Sequence, residues 1–307
     1  MTGLGHVEPG CRDADPQRRL RRALQHTARV LADVSASPAA ESRALVTEAA
    51  EAEGHLLLVD SLPEDFDTSL AQMVSRRLHR EPLQLILGRA PFRRRELAVE
   101  PGVFIPRPET ELLVDLLLQQ IPDAALVVDL CTGSGAVAAA VLDELPGARV
   151  IAVERDPHAA NLARRNLHRI AGPERWELRI ADVRAEADLN DIDGADAVLS
   201  NPPYIPPGAV PREVEVREHD PELALYGGGE DGLEVPTAVL ARASTMLRPG
   251  GLLAVEHADV QGAAMRELAR ATGAFNRVRT VRDLAGRDRF VMAHRQMNAS
   301  DHTEVRD

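Results

Sequence analysis

From residue 125 onward, short apolar runs of strand length alternate with stretches of helical periodicity, and that alternation admits few folds. Residues 125–130, 149–153, 176–180, 195–200 and 251–256 read as strands, and residues 136–145 and 156–170 as helices between them. Strands that are apolar on nearly every residue must be covered on both faces, and strand–helix–strand units impose parallel pairing. The expectation is an α/β fold built on a mostly parallel sheet over residues 107–295.

The 307 residues are enough for two domains. Before the alternating region, Leu20, Leu24, Thr27, Leu31 and Val34 recur at helical spacing. Ser37-Pro38 reads as an N-cap and first-turn pair, Gly54 as the matching stop, and residues 69–80 as a further helix. Residues 17–85 are thus expected to form a small all-α domain. Residues 86–106, with the β-like runs Leu97-Ala98-Val99 and Val103-Phe104-Ile105, are expected to form a β-hairpin linker. Residues 1–16 and 296–307 are polar and expected to be disordered.

Five Phe, two Tyr and one Trp leave a core of mainly Leu, Val and Ala. Every basic residue is Arg, and the net charge is −12, which argues against a broad nucleic-acid surface. The local runs Arg18, Arg19, Arg21, Arg22 and Arg93 to Arg95 read as solvated faces. Two cysteines, Cys11 and Cys131, build no disulfide framework and no metal cluster. No apolar run has membrane-spanning length and the first residues lack a signal-peptide core, so a cytoplasmic location is expected.

Val127-Val128-Asp129-Leu130-Cys131-Thr132-Gly133-Ser134-Gly135 places an acid at a strand end, then a glycine turn, then a helix. Glycine lets backbone approach a ligand closely, and ligands of open α/β sheets sit beyond the carboxyl ends of the strands. The next strand ends in Glu154, whose carboxylate can accept both hydroxyls of a ribose. These features suit a dinucleotide equally well and do not choose the cofactor. Asp182-Val183 after the third strand offers an acid to an adenine amino group and an apolar side chain to the ring, though an acid there also serves as a helix cap.

The sharpest signal is Asn201-Pro202-Pro203-Tyr204 after the fourth strand. Two prolines stop the ladder and stiffen the backbone. The Asn201 side-chain oxygen and the Pro202 carbonyl then offer two acceptors to an NH2 group, and the Tyr204 ring can stack on the flat group that carries it. An amide nitrogen is a poor nucleophile because its lone pair is delocalised. Holding both N–H bonds orients the nitrogen and favours its pyramidal form as the transition state develops. No strong general base is evident.

On these residues the chain resembles amino-methyltransferases that use S-adenosylmethionine (SAM), and more specifically the PrmC/HemK family of release factor glutamine methyltransferases. The resemblance covers roughly residues 17–295. It rests also on Glu81 to Gly88, Phe104 to Glu111, Glu213-Val214, Pro221 to Gly228 and Arg282 to Phe290. It implies a Rossmann-like class I methyltransferase fold, SAM as methyl donor with no metal, and peptide chain release factors as protein substrate. It implies no membrane and no direct nucleic-acid requirement. By resemblance, Asp129, Cys131, Thr132, Gly133, Ser134, Gly135, Glu154, Asp182, Val183 and Asn201 would line the SAM site. Arg107, Glu109 and Thr110 would close one side of it. Asn201, Pro202, Pro203 and Tyr204 would hold the glutamine, and the helical domain would dock the release factor. Cys131 stands where the family usually has Gly, which requires the turn to avoid a glycine-only φ there. Val183 stands where an aromatic is frequent, and Leu85 likewise. A glutamine methyltransferase for a ribosomal protein, a nucleic-acid amino-methyltransferase and a noncatalytic SAM-binding scaffold are the competing readings.

Overall fold

In the computed structural model, which describes residues 15–52, 54–185 and 189–297, the first helix starts where local chemistry dictates. Asp15 accepts the Gln17 backbone N–H at 3.0 Å and Pro16 occupies the first turn, so α1 runs Pro16–Val30. Then come α2 (Pro38–Ala49), α3 (Phe66–Leu78) and α4 (Leu83–Leu87). They bury Leu20, Leu31, Leu45, Val46, Phe66, Leu70 and Met73 in one core. Arg77 is buried with them, donating to Glu41 at 2.7 Å and to the Val34 carbonyl at 2.9 Å. Ser37 precedes α2 without a side-chain cap. That helix stops at Ala49, with Glu51 at φ 49°, so the stop falls before Gly54. The third helix lies earlier than residues 69–80 because Arg80, at φ 67°, has already left it. The expected loose tails and Cys11 lie outside the described residues, except for residues 15–16 and 296–297.

Residues up to Leu87 form one compact unit and those from Gly88 form another. The second opens with a hairpin, β1 (Arg89–Phe92) against β2 (Arg95–Ala98), turning at Arg93-Arg94. Val103-Phe104-Ile105 is not a strand, because residues 95–98 find their partner upstream; Val103 and Ile105 are buried individually. Arg93 to Arg95 is not simply a solvated face either. The Arg93 guanidinium pairs with Glu144 and, at 2.7 Å, with Asp115, while Arg95 pairs with Asp143. Short acidic segments of the following helices reach back to the hairpin, which the local sequence does not reveal.

The helices of this unit are α5 (Leu112–Gln120), α6 (Ala136–Glu144), α7 (Pro157–Ile170), α8 (Val214–His219), α9 (Glu222–Leu225), α10 (Glu234–Met246) and α11 (Gly262–Ala271). The strands are β3 (Leu126–Leu130), β4 (Arg149–Glu154), β5 (Trp176–Ile180), β6 (Ala195–Ser200), β7 (Leu247–Glu256), β8 (Phe275–Arg282) and β9 (Asp288–Arg295). They form a seven-stranded sheet in the order β5-β4-β3-β6-β7-β9-β8. The first five are parallel; β9 runs antiparallel to β7 and β8 antiparallel to β9. Successive side chains point to opposite faces. Val127, Val150, Ala197 and Leu252 pack with α5 and α6 on one face. Val128, Ile151, Val198 and Leu253 pack with α10 and α11 on the other. Two apolar layers therefore explain why these strands are apolar at nearly every residue. β7 begins earlier than residue 251 and takes in Pro249-Gly250-Gly251, with a register shift against β6 between Ala195 and Ala197. The antiparallel pair β8 and β9 has no place among the five expected strands. β8 is half exposed and rich in Arg, so its apolar signal is weak. No helix among the described residues is long and apolar enough to cross a membrane.

Candidate active site

The strand order reverses direction between β3 and β6, and the carboxyl ends of the strands on either side open a crevice there. One cavity occupies it. Thr110, Asp129, Cys131, Thr132, Gly133, Ser134, Glu154, Asp182, Val183, Asn201, Pro202, Pro203 and Tyr204 all line it, together with Phe104 and Leu225. Of the residues expected around it, Gly135, Arg107 and Glu109 are not on the lining. Gly135, at φ 81°, packs against α7, where an added Cβ would stand 3.2 Å from the Ala163 backbone. Arg107 pairs with the buried Asp220 and lies over the Phe104 ring, 5.0 Å from its centroid. Glu109 stands 3.5 Å from Arg287.

The turn after β3 is held by buried acids. Asp129, 1% exposed, accepts the Thr132 hydroxyl and, at 3.1 Å, the Ala138 N–H. Glu154 accepts Gly133 N–H at 2.9 Å, Arg155 N–H at 2.8 Å and Asp156 N–H at 2.9 Å. Three of a carboxylate's roughly four acceptor sites are therefore already engaged. The backbone fixes the carboxylate in place, and less of it is left for ribose hydroxyls than spacing alone suggests. Cys131 sits at φ 60°, so the turn keeps a left-handed residue where glycine was expected to be dispensed with. A small non-glycine residue tolerates that region at modest strain. Burial pushes its thiol well above the usual range.

Asp182 is engaged differently from expectation. Arg184 donates to it from Nη2 at 2.6 Å, from Nε at 3.0 Å and from its backbone N–H at 2.9 Å. These contacts hold its carboxyl down to about 2. The residue is on the lining, but it is committed to an ion pair rather than free for an adenine amino group. Val183, 4% exposed, supplies apolar surface beside it.

After β6, Asn201 Nδ2 donates to Thr110 Oγ1 at 3.0 Å, leaving its Oδ1 available to a donor. Tyr204 donates its hydroxyl to Glu256 at 3.3 Å. Its backbone carbonyl accepts Gln261 Nε2 at 2.8 Å. The segment beyond is clamped onto this backbone. Ile205 N–H donates to the Leu225 carbonyl at 2.9 Å, and Gly227 N–H donates to the Ile205 carbonyl at 3.0 Å. A Cβ on Gly227 would lie 2.7 Å from the Pro203 carbonyl and 1.9 Å from that of Gly232. Glycine there is a packing requirement of the Pro-Pro-Tyr turn.

Glu256 was missed by reasoning from motifs; its only signal is an acid at the end of an apolar strand. It is 3% exposed, and Asp129 and Glu256 are both pushed up to about 7, chiefly by burial. Between about pH 4 and 7 the folded protein therefore holds these protons more tightly than the unfolded chain, and stability falls as pH rises through that window. At about 1.4 kcal/mol per pH unit, each carboxyl removes on the order of 3–4 kcal/mol at most. Asp182, with its lowered pKa, contributes stability above the unfolded value that is lost only in acid below that window. The melting temperature is expected to be higher at pH 5.5 than at pH 7.5. Asp129→Asn and Glu256→Gln should each flatten that slope; an unchanged slope in both variants would contradict the assignment.

A seven-stranded sheet of this order, with the glycine turn, the acid on the next strand and the cavity at the reversal point, defines a class I SAM-dependent methyltransferase fold. Residues 22–88 match the model of the PrmC N-terminal domain, and residues 95–216 that of the methyltransferase small domain. The chain is 43% identical to the release factor glutamine methyltransferase of Mycolicibacterium smegmatis, over 90% of this chain and 98% of that one. It is 47% identical to the enzyme of the same name from Bifidobacterium longum, over 72% and 78%. A 4-amino-L-phenylalanine/4-methylamino-L-phenylalanine methyltransferase of Streptomyces pristinaespiralis is 38% identical over 75% and 82%. The chain belongs to the PrmC/HemK family of release factor glutamine methyltransferases.

Proposed function

We propose that this chain transfers a methyl group from SAM to the side-chain amide nitrogen of the glutamine in the Gly-Gly-Gln loop of peptide chain release factors. The observation that carries the reading is Asn201. Its amide NH2 is spent on Thr110, which leaves its oxygen without that bond, and the residue lines the cavity beside Pro202 and Tyr204. Bound SAM supplies an electrophilic methyl on a sulfonium. The residues present fit it: the turn at Cys131 to Ser134, the backbone-held Glu154 and the apolar Val183 line one continuous cavity with Asn201.

Asn201 Oδ1 and the Pro202 carbonyl each take one N–H of the substrate amide. Two fixed acceptors cannot rotate with the substrate, so they favour the geometry in which the nitrogen lone pair leaves conjugation. Tyr204, anchored through its hydroxyl on Glu256, closes the side of the planar group. The acidic N–H proton is lost after methyl transfer and needs no strong base beforehand. The helical unit, residues 15–87, is proposed to dock the protein substrate, since one glutamine offers too little contact for specificity.

The test is the mass of purified release factor after incubation with this protein and SAM. One added methyl is expected on the loop glutamine, and none when that glutamine is replaced. Removing residues 1–87 is expected to raise KM for the release factor far more than Kd for SAM, provided the remainder is folded. Preference for 4-amino-L-phenylalanine over the release factor would instead align the chain with its S. pristinaespiralis relative and overturn the proposal.

A further inference from the structure

The acceptor role of Asn201 depends on a choice that its own shape does not make. The two ends of a side-chain amide are nearly identical in form and differ only in hydrogen-bond polarity. Turned the other way, Asn201 would present NH2 to the NH2 of a substrate, donor against donor. What decides is Thr110. Its Oγ1 accepts from Asn201 Nδ2 at 3.0 Å and donates to Glu256 Oε2 at 2.7 Å. A hydroxyl has one proton. Above about pH 7, where Glu256 is ionised, that proton is directed to the carboxylate, and Oγ1 meets Asn201 with lone pairs alone and can pair only with its NH2 end.

We propose that Glu256 is a positioning residue which, through Thr110, sets the orientation of the Asn201 amide and so makes it an acceptor for the substrate NH2. The inference rests on the reading of Asn201 as that acceptor. All three residues lie in the second unit, and Thr110 and Glu256, 4% and 3% exposed, form the buried end of the relay while Asn201 is half-buried at the cavity. Glu256 takes a second hydroxyl from Tyr204, which ties the stacking residue to the same carboxylate. The charge of Arg289 acts on both Tyr204 and Glu256. That guanidinium is held from behind by Asp283 at 3.1 Å, and Asp283 in turn accepts the backbone N–H groups of Ala285 and Arg287, both at 2.9 Å. The Arg282 to Phe290 stretch thus supplies the counter-charge of a buried acid. An unpaired carboxylate would be costly there.

Thr110→Val removes the hydroxyl while keeping the branched shape, and Thr110→Ser keeps the hydroxyl. With release factor as substrate and saturating SAM, Thr110→Val is expected to lower kcat by roughly tenfold to a hundredfold, as for loss of one or two aligned hydrogen bonds. Because Thr110 also lines the cofactor cavity, Kd for SAM is allowed to rise, but by much less than kcat falls, and Thr110→Ser should restore most of the rate. Glu256→Gln, which can turn either end to Thr110, should fall between. The decisive readout is a double-mutant cycle. In an Asn201→Ala background, Thr110→Val and Glu256→Gln should cause no further loss, because the group they orient is gone. Losses that multiply with Asn201→Ala, a normal kcat in Thr110→Val, or a fall in SAM affinity as large as the fall in kcat would each overturn the relay. A normal rate in Asn201→Ala alone would overturn the reading of the site itself, and the relay with it.

Discussion

Replacing Asn201 by Ala is expected to lower the turnover of release factor by about 10²–10³, the loss typical of removing one donor or acceptor aligned on a transition state. Asn201 follows directly on β6, is half-buried and lines the cavity, so the substitution opens no core void. SAM affinity and melting temperature should change little by comparison. If the bond strengthens as the nitrogen pyramidalises, kcat falls more than KM rises. Asn201→Asp is the finer probe. A carboxylate keeps two acceptors, but the single Thr110 proton is already given to Glu256, so the new acid meets a lone pair there. Partial activity well below that of the native protein is expected. Single-turnover rates on release factor at saturating SAM decide the matter, and a folded Asn201→Ala protein that turns over normally would end this account of the site.

Glu154→Ala is expected to weaken SAM binding by roughly tenfold to a hundredfold, the equivalent of about 1.5–3 kcal/mol for charge-assisted hydrogen bonds. Part of the loss would be indirect. Three backbone N–H groups, of Gly133, Arg155 and Asp156, converge on this carboxylate, and Ala leaves all three without it. The Gly133 turn would loosen as the acceptor disappears. Glu154→Gln keeps the shape but exchanges one acceptor oxygen for an NH2 aimed at N–H donors, so it should bind SAM poorly too. Calorimetric titration of SAM into each folded variant gives the answer. Unchanged affinity in both would remove Glu154 from the cofactor site.

Much of the site was legible in contiguous residues. Asp129 to Gly135, Glu154 and Asn201 to Tyr204 each follow directly on an apolar run, and a parallel sheet gathers the carboxyl ends of such runs at one edge. That is why independent readings of β3, β4, β5 and β6 converge on one cavity. Conformation at single residues was less legible. Cys131 takes a left-handed φ in a turn whose next two residues are held by Asp129 and Glu154, contacts that its own side chain does not announce.

The amino-acid sequence by itself determined the two apolar layers, the order of strand and helix from β3 to β6, the acid and glycine turn after β3, and the Asn-Pro-Pro-Tyr turn after β6. These depend on periodicity and on backbone restraints that act within a few residues. Only the tertiary structure decided that Asp182 is spent on Arg184, that Gly227 must pass against the Pro203 carbonyl, and that Arg93 is locked to Glu144. It also brought Glu256, Thr110 and Asn201 together, with Thr110 standing 146 residues from Glu256 and 91 from Asn201 along the chain. Hydrogen-bond polarity passes through space between buried groups, and no spacing along a single segment records which distant proton a hydroxyl will give away.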